Sequence, residues 1–157
     1  MYDYIGLSLI THFVYNSIEY LFHKIGHYKH NYNYIYKLHI LHHKKYYPVN
    51  SLQSDTYRHN NEGSIAYIPP FSILIYLFYY TLPFTYFIFF SIQIGITIFI
   101  NNYIHTNVHL KETWLDKYEW FLEIRQLHLT HHKKLYTNYS FGYDFTIDKL
   151  ANTYLET

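Results

Sequence analysis

The chain has 157 residues, a single domain's length, and a formal charge of +1, so it lacks the basic excess of a nucleic-acid binder. It contains no cysteine, which removes disulfides, thiolate zinc sites and iron–sulfur clusters together. Any metal chemistry falls to histidine, of which there are 13.

The mean hydropathy of -0.18 averages over a sharp segregation along the chain. The first element is an apolar segment over about residues 4–22, interrupted by His12, Asn16 and Glu19. It is a weak spanning candidate that crosses once or lies partly in the interface. Without a basic leading region or a small-residue cleavage site, it is not read as a secretory signal. His23 and His27 follow at a spacing of i, i+4, and then the segment Leu38-His-Ile-Leu-His-His-Lys-Lys-Tyr-Tyr47 brings His39, His42 and His43 in the pattern HxxHH.

Between Glu62 and His105 there is no charged residue and no histidine. The 36 residues from Ile65 to Ile100 would run roughly 54 Å as helix, close to two crossings of a hydrocarbon core about 30 Å thick. This stretch reads as a transmembrane hairpin, with Pro69-Pro70 near its entry and Pro83 where the chain must reverse. The competing reading is a helical pair buried in a soluble core, which a chain this short would struggle to cover. Beyond the hairpin, His105 and His109 repeat the i, i+4 pair. Leu127-His-Leu-Thr-His-His-Lys-Lys-Leu-Tyr136 then repeats HxxHH with His128, His131 and His132.

Ten of the 13 histidines fall in these four clusters. At this histidine frequency random placement yields roughly 0.09 HxxHH patterns per chain, so two are far above chance. On a helix, positions i, i+3 and i+4 share one face, so each HxxHH is expected to point three imidazoles into one space. Ten imidazoles exceed the four to six ligands of one ion, which implies two metals, and an all-nitrogen set suits iron, zinc, copper or nickel. Carboxylates holding the outer ring N–H groups are expected from Glu19 above all, then Asp116, Glu119 and Glu123. A hairpin that leaves and returns on one side brings all four clusters to one membrane face. The lysines and arginines flanking the hairpin, Lys24 to Arg58 before it and Lys111 to Lys134 after it, make that face cytosolic. His12 and His59 are left as non-ligands, and His30 as a substitute ligand.

This order of motifs resembles the fatty acid hydroxylase and sterol desaturase superfamily of integral-membrane di-iron oxygenases. The resemblance rests on Glu19-Tyr-Leu-Phe-His-Lys-Ile-Gly-His27, on His39-Ile-Leu-His-His43, on the uncharged hairpin, and on His105-Thr-Asn-Val-His109. It continues through His128-Leu-Thr-His-His132, Asn138-Tyr-Ser-Phe-Gly142 and the late Asp148. It implies that His23, His27, His39, His42, His43, His105, His109, His128, His131 and His132 ligate two iron ions, with zinc a substitute in isolated protein. It also implies hydroxylation or desaturation of a fatty acyl chain or sterol with O2. Electrons would come from a separate cytochrome b5-like or ferredoxin-like donor, since the chain has no dinucleotide fingerprint; Lys44-Lys45 and Lys133-Lys134 would suit an acidic one.

The expected fold is thus all-α: one integral-membrane domain over 1–157, with a transmembrane hairpin and a cytosolic helical cap holding the histidines of 23–43 and 105–132. The expected place is an internal membrane such as the endoplasmic reticulum. The alternative function is a histidine-rich membrane protein that binds or moves metal without oxygenase activity, although such proteins usually carry ligands at mid-membrane.

Overall fold

A computed structural model describes residues 2–58 and 68–156; His59 and the first residues of the expected hairpin, 65–67, lie outside the described residues. Among the described residues the regular structure is helical, with one isolated parallel bridge between Ser54 and Leu110. Helix α1 runs Tyr2–Gly26. Helix α2, Tyr34–Leu41, passes directly into a π-helical turn, His42–Tyr46. Helices α3, Ile68–Thr81, and α4, Phe84–Val108, follow, then a 3-10 turn, Trp114–Lys117. Helices α5, Glu119–Lys133, and α6, Thr146–Leu150, complete the chain.

The α1–α2 corner is set by Asn33. Its side-chain oxygen caps α2 by accepting from the Tyr36 N–H at 3.0 Å, while its amide donates to the Ile25 and Tyr28 carbonyls at 2.8 Å each. One residue therefore satisfies orphan groups at the end of one helix and the start of the next. Gly26 lets the helices close: a Cβ there would stand 3.1 Å from the His39 ring.

Helices α3 and α4 reverse at Leu82-Pro83, where Pro83 begins α4. Phe71, Phe90 and Ile94 pack with Tyr15 of α1, with Leu74, Phe78 and Ile98 around them. Their outer faces are apolar and exposed, including Ile73, Leu77, Ile88, Ile92, Ile96 and Phe99. By length and composition α4, about 37 Å long, is the one described helix able to cross a hydrocarbon core. α3 has 14 residues, about 21 Å, and falls short of that thickness over its described length.

A second core, Ile104, Val108, Leu115, Phe121, Ile124, Leu127 and Phe145, seats α5 against the end of α4. Thr113 and Asp116 form a reciprocal cap on the 3-10 turn, and Arg125 of α5 reaches back to Asp116 at 2.5 Å. These contacts aim α5 at the ends of α1, α2 and α4, where the histidines meet.

Candidate metal centre

All ten cluster histidines gather at this junction, and they sort into two groups. His23, His27, His39, His43 and His131 form the first; His42, His105, His109 and His128 form the second, the ligand atoms in each lying within 4.8 Å of one another. His132 joins the second group through its Nε2, 3.2 Å from that of His128. The groups abut, with the His43 ring stacked on His132 at 4.0 Å.

This arrangement differs from the expectation that each HxxHH fills one space. His39 and His43 serve the first group while His42 serves the second; likewise His131 serves the first while His128 and His132 serve the second. In the first motif the helix widens at His42, whose carbonyl accepts from the Tyr47 N–H at 2.8 Å, an i to i+5 bond. Both motifs straddle the two groups and tie them into one unit.

The outer ring nitrogens are held by backbone carbonyls. Nδ1 of His131 faces the Thr137 carbonyl at 2.6 Å, that of His109 faces Leu52 at 2.9 Å, and that of His132 faces Tyr47 at 3.1 Å. His23 Nδ1 meets the Tyr139 carbonyl in the same way. A carbonyl only accepts, so each of these four Nδ1 atoms carries the hydrogen and each Nε2 presents a lone pair inward.

The expected carboxylate partners are not used. Glu19 is buried but takes its bonds from Asn101 and the Phe141 N–H, Asp116 is engaged by Arg125, and Glu119 and Glu123 are exposed. His30, the substitute ligand, is exposed and accepts from the Tyr32 N–H. His12, a non-ligand by expectation, lies apart and pairs with Asp144.

Hydrogens alone cannot satisfy the first group. Nε2 of His39 lies 2.9 Å from those of His27 and His43, and Nε2 of His131 lies 3.1 Å and 3.3 Å from the same two, closing a ring of four contacts. A neutral imidazole has one N–H, and a ring nitrogen that donates cannot accept, so at most two of the four contacts are hydrogen bonds. Extra protons are resisted: burial first, and the neighbouring His131 next, holds His27 down to about 3, and burial holds His131 down to about 4. Burial, then adjacent imidazoles, also places His42, His43, His128 and His132 well below the ordinary histidine range.

A cation accommodates what hydrogens do not. Two nitrogens each about 2.0–2.1 Å from one metal ion, at tetrahedral or octahedral angles, stand about 2.8–3.4 Å apart, and the observed separations are 2.9–3.3 Å. In addition, His23 Nε2 is buried without a hydrogen-bond partner. The donor set therefore fits a metal in the first group, and the 3.1 Å contacts from His109 Nε2 to those of His42 and His128 give the second the same character.

Residues outside the histidine clusters support the centre, among them the Asn138–Gly142 element and Asp148 on which the resemblance also rests. The Phe141 ring stacks on His23 at 4.0 Å and Tyr47 on His109 at 3.8 Å, closing the centre on two sides. Buried Asp148 accepts from the Tyr139 N–H at 2.7 Å and the Ser140 N–H at 2.9 Å, fixing the turn that offers the Tyr139 carbonyl to His23. Gly142 is required by close approach, since a Cβ there would collide with the Asn101 amide.

The described residues thus form a helical fold with a polyhistidine cluster whose donor set fits metal, beside an apolar helix of membrane-spanning length. The fatty acid hydroxylase family model matches residues 8–153, and the chain belongs to that family. Searches of curated proteins and of solved structures return no match.

Proposed function

We propose that this protein is a membrane-bound, non-haem di-iron oxygenase that hydroxylates or desaturates a lipid, a fatty acyl chain or sterol. The observation that carries the proposal is the pair of abutting imidazole groups, with four lone pairs fixed inward by backbone carbonyls. His23, His27, His39, His43 and His131 would hold one iron, and His42, His105, His109, His128 and His132 the other. The irons would supply O2 activation. In hydroxylation a C–H bond, O2, two electrons and two protons become C–OH and water.

The chain's own part is to orient ligands and exclude water. The Nδ1 bonds lock each ring's tautomer and direction before a metal arrives. Phe141 and Tyr47 cover the His23 and His109 rings and would help exclude water from the metals these residues hold. The apolar faces of α3 and α4 support a spanning hairpin, with one domain over 1–157 and the centre on the cytosolic side of an internal membrane. Such a membrane delivers the lipid. Lys44, Lys45, Lys133 and Lys134, which follow the two HxxHH motifs, form the face for an acidic electron-donor protein.

The test is expression in a lipid-rich host followed by mass spectrometry of extracted lipids. A species gaining one oxygen, or losing two hydrogens, is expected and should vanish in the His42→Ala/His43→Ala double variant. Persistence of the product in that variant refutes the ligand assignment.

A further inference from the structure

Polar side chains form a continuous seam between two helices that are otherwise apolar outside. On α1, His12, Asn16, Glu19 and His23 recur at i, i+4, i+7 and i+11 and so share one face. On α4, Gln93, Thr97, Asn101 and His105 recur every fourth residue. Each stripe ends at the metal centre.

The stripes meet: the Gln93 amide donates to the Ser8 carbonyl at 2.9 Å, and the Asn101 amide faces both Tyr15 Oη and Glu19 Oε1 at 3.3 Å. The outer end is partly exposed. His12 Nε2 lies 2.8 Å from Asp144 Oδ2, with side-chain exposures of 31% and 26%. Asn16 bridges them, its amide 3.0 Å from each, and Tyr143 Oη lies 3.4 Å from His12 Nδ1. From buried Asn16 the next step inward is Glu19, one helical turn on.

Glu19 is a carboxyl group with 4% exposure, and among the described residues no cation acts on it. Its partners are the Asn101 amide and the Phe141 N–H; the titratable groups facing it from the tail are Asp144, Asp148 and Tyr143, and His23 follows one turn later on its own helix. A structural role needs only an amide here, which would satisfy the same neighbours at less desolvation cost. An acid in this position has a use that an amide lacks.

We infer that Glu19 is a proton-relay residue, loaded from solvent by the His12–Asp144 pair that the Asn16 amide holds in place, that delivers protons toward the imidazole centre. A water bridging Asp144 and Glu19, whose charges interact, would complete the path. The inference rests on the oxygenase reading, because the reaction written above consumes two protons per turnover at a centre whose imidazoles are buried apart from half-buried His27 and His105. The electrons come from a one-electron protein donor, or from dithionite in the test below.

The test has two arms, each using the whole chain in lipid nanodiscs. In metal-free protein, infrared difference spectra of wild type against Glu19→Gln should show the C=O stretch of a protonated carboxylic acid. Its hydrogen–deuterium exchange should slow at least tenfold in Asp144→Asn. In iron-loaded protein reduced with dithionite and mixed with O2, Glu19→Gln should keep wild-type iron content yet reoxidise at least tenfold more slowly. Glu19→Asp should restore the rate to within threefold. Absence of the acid band, exchange indifferent to Asp144→Asn, loss of iron in Glu19→Gln, or a wild-type reoxidation rate in that variant each overturns the relay alone. Wild-type protein that holds iron but never reacts with O2 overturns the oxygenase reading and the relay with it.

Discussion

Replacing Asp148 with alanine should cripple the metal centre although Asp148 touches no imidazole. The carboxylate accepts from the Tyr139 N–H at 2.7 Å, the Ser140 N–H at 2.9 Å, Ser140 Oγ at 2.6 Å and Thr153 Oγ1 at 2.8 Å, all from a fully buried position. The two hydroxyls can turn to other acceptors, but the two backbone N–H groups cannot. Leaving a buried donor unsatisfied costs about 1–3 kcal/mol, so the pair costs about 4 kcal/mol. Against a total stability of about 5–15 kcal/mol this is a large fraction, and at about 2–4 °C per kcal/mol the melting temperature should fall by about 8–16 °C. The turn carrying the Tyr139 carbonyl then loosens its hold on His23, and losing such an outer bond typically weakens metal affinity about 10–100-fold. Thermal unfolding followed by fluorescence, together with iron titration of refolded or purified variant, reads both effects. Asp148→Ala protein that melts within about 2 °C of wild type and binds iron normally would refute the reasoning.

Further outcomes follow from single contacts. Gly26→Ala places a methyl group 3.1 Å from the His39 ring, so it should displace that ring and lower iron occupancy of the first group while the second stays filled, as iron analysis would show. In metal-free protein His27 and His131 are held below the unfolded value of 6.5, to about 3 and about 4, so the unfolded chain binds their protons first. The stability they permit is intact above pH 6.5 and declines as pH falls through 6.5 toward about 4 for His131 and about 3 for His27; denaturant midpoints that do not move across this window would contradict it. The two tryptophans, Trp114 and Trp120, are exposed near the end of α4, with Lys117 over the Trp114 ring at 5.3 Å. That composition suits the headgroup layer, so brominated lipid should quench the chain's tryptophan fluorescence in vesicles, and unquenched emission would argue against a membrane seat there.

Much of the centre could be read from spacing because metal ligands are side chains with a fixed chemistry. Two HxxxH pairs, two HxxHH repeats and the uncharged run between them were enough to nominate ten residues that the fold does bring together. How they divide between two groups was not legible: in both motifs the i and i+4 imidazoles stay together and the i+3 imidazole joins the other group, in the π turn of the first and the regular helix of the second alike, so the division depends on the distant elements packed alongside. The carbonyl partners at Leu52, Tyr47, Thr137 and Tyr139 were equally hidden, since main-chain atoms leave no mark on residue type. Glu19 was nominated as a partner of an imidazole from its place one turn before His23, yet Asn101, 82 positions away, claims it. Helix periodicity shows which face a residue occupies; it does not show which distant element will cover that face.

Iron stoichiometry of group-specific variants tests the central claim most directly. Wild type should bind two irons per chain, while His39→Ala and His109→Ala should each lose one, from opposite groups. Binding of a single ion, or loss of all metal from one variant with none from the other, would contradict a centre built of two imidazole groups.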